Sequence, residues 1–531
     1  MQYNKINNLL GWLCFLTASV TYILTLEPSV SFWDCGEFIS CAFRLQISHQ
    51  PGYPLFAMIG KAFSLLSMGN NAKVPFFTNM GSALASATAI MLLFWIITAM
   101  AKKLLVKRGE VADQTQTILI MGSGLVGALA FIYTDTFWFS AVETIVFAWS
   151  SLCTALVIWA IMKWDAHADE PGADRWIIFI AYVIGLSIGI HLLNLLTIPA
   201  IALVYYFRRY QNITTKSTII ALFCGIGVLG LIQFGLIQYT VKFAAYFDLL
   251  FVNTFGMGFG SGAIFFFIIL IAALVYGIRY SILKNKATLN LAFLCVVFIY
   301  IGYSSFAMII IRAKADPDLN NTAPDNAFTM LSYLNRDQYG DRPLLYGQYF
   351  DAEQVRMSAD SAAELRNSGT IIYRKGKTKY EEASRKYSIP YTRNTFLPRI
   401  YDQEGDHPQF YKDWLHIPDG EHPEFFDNVK FMFSWQIWQM YVRYFMWNFV
   451  GRYNDMDGQQ SNQGYDGQVS NGLVNVSLHL PLAVTVATTV SRRWASRALI
   501  CPPATPVRLV IPPASAPPRP AGCHPRLITR K

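Results

Sequence analysis

A succession of long apolar runs, confined to residues 1–311, constrains this chain more than any other feature. A helix needs about 20 apolar residues to cross about 30 Å of hydrocarbon. Runs near 8–26, 77–100, 117–134, 143–162, 217–240, 257–278 and 288–311 meet that test. Two shorter runs, 176–191 and 192–207, read either as a tight hairpin of two short helices or as one long tilted helix. About nine spans result. The first run follows Lys5 and lacks an A-x-A-like cleavage site after it, so it reads as a retained signal anchor. Charged residues make up 15% of the chain, against about 25% in soluble proteins. The shortfall falls on 1–311, whereas 312–460 reads as ordinary soluble sequence.

The basic residues fix an orientation. With the N-terminus in the cytoplasm, the clusters Lys102–Arg108, Lys163–Arg175, Arg208–Lys216 and Arg279–Lys286 all fall inside, as the positive-inside rule requires. The connections at 27–76, 135–142, near 191 and at 241–256 fall outside and hold few basic residues. Counting 51–68 as a span would move Lys102–Arg108 outside, so that stretch is placed at the outer interface without crossing. The net charge of +9 is thus a signal of topology, and a nucleic-acid partner is excluded.

The expected fold class is mostly α. A polytopic membrane helix bundle over 1–311 precedes a mixed α/β extracytoplasmic domain over 312–458, and a tail occupies 459–531. The tail is Gln/Gly/Asn/Ser-rich and then Pro/Arg/Ala-rich. It reads as a disordered basic segment or as translation in a wrong frame. The cysteines show no CxxC or Cys/His metal spacing, and Cys35 and Cys41 can pair only if their shared loop bends.

The candidate chemistry lies in the first outer connection, Trp33-Asp34-Cys35-Gly36-Glu37. If 33–47 is helical, Asp34 and Glu37 share a face at i, i+3, and their repulsion raises one pKa. Acids at a membrane edge are costly and mark sites, although both could simply face water. His49-Gln50-Pro51-Gly52-Tyr53-Pro54 is a rigid aromatic turn. It reads as a pocket wall, with His49 donating to a phosphate or sugar, or as an interfacial anchor built on Tyr53. Glu143 suits either catalysis or the N-terminus of a helix, and Trp138 reads as a headgroup-belt aromatic. His191 and Asn194 interrupt an apolar run and need a partner, either another helix or a ligand head group. Gly185 and Gly189 form a small-residue face for close helix packing.

Glu27-Pro28 with Phe32–Phe38, His49–Leu55, Phe137-Trp138…Ala141-Val142-Glu143, Gly189–Leu196 and Leu331–Arg336 together resemble a family of Bacteroidetes-type membrane proteins. That family is similar to the transmembrane protein O-mannosyltransferases. The resemblance spans roughly 5–458. It implies a GT-C glycosyltransferase fold in the inner (cytoplasmic) membrane of the cell envelope, with a polyprenyl-phosphate sugar as donor. It also implies that an exported protein or glycan is the acceptor and that an outer-loop acid is the base. Here the base would be Asp34, with Glu37 second. Arg44, His49, Tyr53, Glu143, His191 and Asn194 would bind donor or acceptor, Arg44 or His49 meeting the leaving phosphate. No metal or other cofactor is expected. Family chains continue well beyond this length, and the tail departs from them. The rival expectation is a transporter or a lipid or glycan flippase without transferase activity.

Overall fold

A computed structural model of the chain describes residues 2–107, 109–446 and 448. The expectations for the tail lie outside these residues. The fold is mostly helical. Helix α1 (Gln2–Leu24) is followed, in the first connection, by the short helices α2 (Cys35–Arg44) and α3 (Pro54–Ser64). Then come α4 (Val74–Leu105), α5 (Gln114–Ile132), the short α6 (Asp135–Ala141), α7 (Val146–His167), α8 (Arg175–Ile188) and α9 (Ile198–Arg209). Helices α10 (Thr215–Gly230) and α11 (Thr240–Asn253) are joined by a π-helical stretch, Leu231–Tyr239. The helical region closes with α12 (Ser261–Leu283), α13 (Ala287–Tyr303) and α14 (Ala307–Lys314).

Seven of these helical stretches are long and apolar enough to cross a membrane, and the chain is a multi-pass membrane protein. The 176–207 stretch resolves into two short helices. Helix α8 stops at Gly189, and His191 takes an extended backbone whose Nδ1 accepts the Leu193 N–H at 3.2 Å. A 3₁₀ turn, Leu192–Thr197, then leads into α9, which carries Pro199 in its first turn, where the missing N–H is no loss. The expected hairpin is therefore a broken helix pair, with its break at Gly189–His191. Close packing at Gly185 is real: a Cβ there would lie 2.4 Å from the Ile299 carbonyl oxygen on α13. At Gly302 it would lie 2.4 Å from the Leu186 backbone nitrogen.

Contacts sort the helix ends into two groups. At one end Lys102 stands over the Tyr3 ring, Lys103 pairs with Asp165, Arg208 with Asp169, and Arg209 with Asp174. At the other end the Tyr22 hydroxyl donates to the Ile132 carbonyl, and Glu27 N–H to the Val142 carbonyl at 3.1 Å. Leu55 and Phe56 N–H both donate to the Gly189 carbonyl at that end. Trp138 also lies there, but it is no belt aromatic. Its ring is buried and its indole N–H donates to Thr25 Oγ1 at 2.8 Å.

The region after α14 is a small mixed fold with α15 (Ala327–Asn335), α16 (Ala359–Ser368), α17 (His407–Leu415), α18 (Phe425–Phe431) and α19 (Arg443–Met446). Two antiparallel pairs complete it: β1 (Tyr346–Gln348) with β4 (Asn394–Phe396), and β2 (Thr370–Lys375) with β3 (Tyr380–Lys386). This region is bolted to the helices. The buried Asp248 carboxylate of α11 accepts from the N–H groups of Gly260 and Gly262 and from the Tyr380 hydroxyl at 2.7 Å. A buried carboxylate survives only when its oxygens are so paired. A second tie joins Ile47 N–H to the Leu319 carbonyl at 2.9 Å.

Candidate functional site

Helix α2 is short because the chain enters it through Trp33 at φ 59 and leaves it through Leu45 at φ 50. Asp34 is its N-cap residue, but its side chain caps nothing. The carboxylate is exposed, and among the described residues it has neither an ion pair nor a side-chain hydrogen bond. Glu37, in the first turn, is fully engaged. One oxygen accepts the His49 backbone N–H at 2.6 Å, and the other meets His49 Nδ1 at 2.8 Å. Partial burial alone would raise the Glu37 pKa, but the two bonds from His49 outweigh it and hold the carboxyl below its ordinary value. The hydrogen bond to Glu37 raises His49 in turn, against its burial. The repulsion expected between Asp34 and Glu37 is thus overridden by a histidine that the turn at 48–52 delivers.

That turn is held from across the chain. Gln50 is buried, donating to Thr322 Oγ1 at 2.9 Å and accepting the Gln338 N–H at 3.3 Å. The Tyr333 hydroxyl of α15 donates to the Ser48 carbonyl at 2.6 Å. Gly52, at φ 87, passes so close that a Cβ would lie 2.6 Å from the Tyr333 ring. Only glycine meets both demands there.

The aromatic lining continues from this turn. The Tyr53 hydroxyl lies 3.2 Å from His49 Nε2, and burial pushes its pKa up to about 12. The Tyr53 ring stacks parallel on His191 at 6.4 Å, and Phe147 meets His191 edge-on at 5.4 Å. Burial lowers the His191 pKa, so the ring is neutral near pH 7. Because Nδ1 accepts from Leu193, Nε2 is assigned as the N–H donor.

Three other residues singled out from sequence stand apart. Arg44 sits at the far end of α2 and pairs with Asp318 at 2.7 Å in water. Asn194 is buried and donates to Ser187 Oγ at 3.1 Å, stapling the α8 break. Glu143 is buried behind the loop. Burial raises its pKa against hydrogen bonds to Ser31 and Cys35, and one carboxyl oxygen has no partner among the described residues. Cys35 and Cys41 are buried free thiols.

One contributor escaped the sequence reading of the site. Arg336 caps α15 in the left-handed conformation, φ 61, and its guanidinium lies over the Tyr339 ring at 4.8 Å. It meets no carboxylate among the described residues, and its charge bears on His49, Tyr53 and His191. The bonds from Tyr333 to Ser48 and from Gln338 to Gln50 place it beside the turn. Leu331–Arg336 carries part of the family resemblance, but nothing local ties Arg336 to the turn at 48–52, because the partners are nearly 300 residues apart.

The cluster is compact. One ligating atom from each of Asp34, Glu37 and His49 lies within 4.8 Å of the others. Two carboxylates and an imidazole are a donor set that divalent cations accept. Here Glu37 and His49 Nδ1 already satisfy each other, so an ion would have to displace that pair.

Comparison with known proteins falls on this same stretch. Residues 34–214 match the family model described as the protein O-mannosyl-transferase TMEM260 N-terminal domain. Residues 340–433 match a family of unknown function. The chain is similar to the transmembrane protein O-mannosyltransferases. One relative is the protein O-mannosyl-transferase tmem260 of Dictyostelium discoideum, 24% identical over 205 residues, which are 37% of this chain and 22% of the relative. Another is the protein O-mannosyl-transferase TMEM260 of Mus musculus, 26% identical over 185 residues, 35% of this chain and 23% of the relative. The match thus spans less than a quarter of either relative. No solved structure matches.

Proposed function

We propose that this chain is a membrane glycosyltransferase of GT-C type. It moves a sugar, mannose or a similar hexose, from a polyprenyl-phosphate donor to a Ser/Thr hydroxyl of an exported protein. The observation that carries the reading is the unpaired Asp34 carboxylate beside the Glu37–His49 pair, inside the stretch that matches an O-mannosyltransferase model. In this scheme the acceptor oxygen attacks the anomeric carbon, Asp34 takes its proton, and the bond to the phosphate oxygen breaks with inversion. The electron pair leaves on the lipid phosphate. The Arg336 guanidinium and His191 Nε2–H are the donors that meet it, in place of Arg44. Glu37 fixes the orientation of His49, and the Tyr53–His191 stack forms the apolar wall.

The same reading puts the cluster at the outer face of the inner membrane and the N-terminus in the cytoplasm. It is supported by the gathering of Lys102, Lys103, Arg208 and Arg209 at the opposite end of the bundle. The test is transfer by the purified full-length chain in lipid nanodiscs, from radiolabelled polyprenyl-phosphate mannose to a Ser/Thr peptide. Label on the peptide is expected. Lipid scrambling in proteoliposomes with no labelled peptide under any donor would establish the flippase reading instead.

A further inference from the structure

The helical run at 425–446 has an unusual outer face. Its inner face is ordinary core. The buried Asn428 accepts the N–H groups of Arg399 and Ile400 at 2.6 and 3.1 Å, and Phe431 is buried. The Trp435 ring packs edge-on against Phe410 and Trp414 of α17 at 4.7 and 4.6 Å, and Trp414 donates to Ser434 Oγ. A helix packed this way on a water-soluble fold carries charges on its other face. This one carries Phe433, Ile437, Trp438 and Tyr441, all exposed, with Trp438 at 63% and Tyr441 at 68%. Met432–Val442 is π-helical, and at the wider π spacing of four to five residues Phe433, Ile437, Trp438 and Tyr441 share one side, away from Phe431 and Trp435.

Two observations say what covers that face. First, the run ends at the membrane bundle. Asn448 Oδ1 accepts from the Thr136 backbone N–H and from Thr136 Oγ1, at 3.1 and 2.8 Å. Thr136 lies in the first turn of α6, just past Ile132, where the candidate span Gln114–Ile132 ends. Second, Trp438 and Tyr441 are residues of the headgroup belt, and the face holds three aromatic side chains to one aliphatic, unlike a span. With Arg443 inside it, the run is not among the helices apolar enough to cross.

We propose that the outer face of the 425–446 helix lies in the headgroup–acyl boundary of the bilayer. The occupant of this face is lipid, and the mixed region rests on the membrane through it. The proposal is independent of the glycosyltransferase reading. It alters the expected soluble character of 312–458, because the end of that segment becomes a membrane-surface element. Burial of an apolar helix face at this depth is how interfacial helices bind.

The test needs no variant. The full chain is reconstituted at one copy per lipid nanodisc and exposed to hydroxyl radicals, and side-chain oxidation is read by mass spectrometry. Phe433, Trp438 and Tyr441 are compared, after correction for intrinsic reactivity, with Tyr346, Met357 and Phe396, which are exposed in the same region. Lipid cover predicts oxidation roughly tenfold slower at the first three. With one copy per polymer-bounded disc and no other protein present, neither a second copy nor a partner can supply that protection. Equal rates in the two sets overturn the proposal.

Discussion

The two ends of the helical bundle use charge in opposite ways. At the basic end four cations stand against partners: Lys103 on Asp165, Arg208 on Asp169, Arg209 on Asp174, and Lys102 over a tyrosine ring. Charge closes locally at these four positions. At the other end Glu37 and His49 close on each other, but the Asp34 carboxylate and the Arg336 guanidinium are left without charged partners among the described residues. A carboxylate and a guanidinium, each without a charged partner and both near the turn at 48–52, are poised for something that is not protein. The difference separates charges that set topology from charges that could do chemistry.

Three substitutions sharpen that contrast. Arg336→Gln has the largest expected effect. Losing a charge-assisted contact to phosphate should raise the KM for the lipid-phosphate donor roughly 10- to 100-fold, with Tm nearly unchanged. An unchanged KM would remove Arg336 from the site. Glu37→Gln should act on stability, by about 1 kcal/mol for a half-buried, hydrogen-bonded pair. Its pH dependence has a definite sign. Glu37 is held below its ordinary 4.5, so its contribution is present above that value and fades as pH falls through the lowered pKa. His49 is held above 6.5, so its contribution is present below that value and fades as pH rises through the raised pKa. The Tm gap between wild type and Glu37→Gln should therefore be widest between these limits and narrow on both sides. A gap flat from pH 3 to 10 would contradict the ion pair. Arg44→Ala has the smallest effect. Its pair with Asp318 is solvated on both sides, so Tm should fall by less than a stability change of about 0.5 kcal/mol implies, and donor KM should not move.

The sequence carried the bundle well and the site in part. Long apolar runs fixed where helices lie, since hydrocarbon thickness sets their length. Their ends slipped: α4 and its flanking turn run over Asn71–Leu105, and the stretch expected at 217–240 continues to Asn253. There polar helix ends carry no apolar signal. Asp34, Glu37 and His49 were legible because they share one connection. Arg44 was misplaced because seven residues of α2 carry it about 10 Å along the axis from Glu37, to a partner near residue 318. Trp138 was misread because an aromatic near a span end looks the same whether it faces lipid or, as here, Thr25. Arg336 was invisible as a site residue, because only the folded chain brings α15 onto the turn at 48–52.

The central claim is that the unpaired acid at one end does chemistry while the paired acid at the other holds the fold. Asp34→Asn and Asp165→Asn, measured side by side for sugar transfer and for Tm, test it most directly. Loss of a general base predicts transfer falling by about 10²–10⁴-fold in Asp34→Asn with Tm preserved, and the reverse pattern in Asp165→Asn. Full transfer activity in Asp34→Asn, alongside an active wild type, would contradict the account.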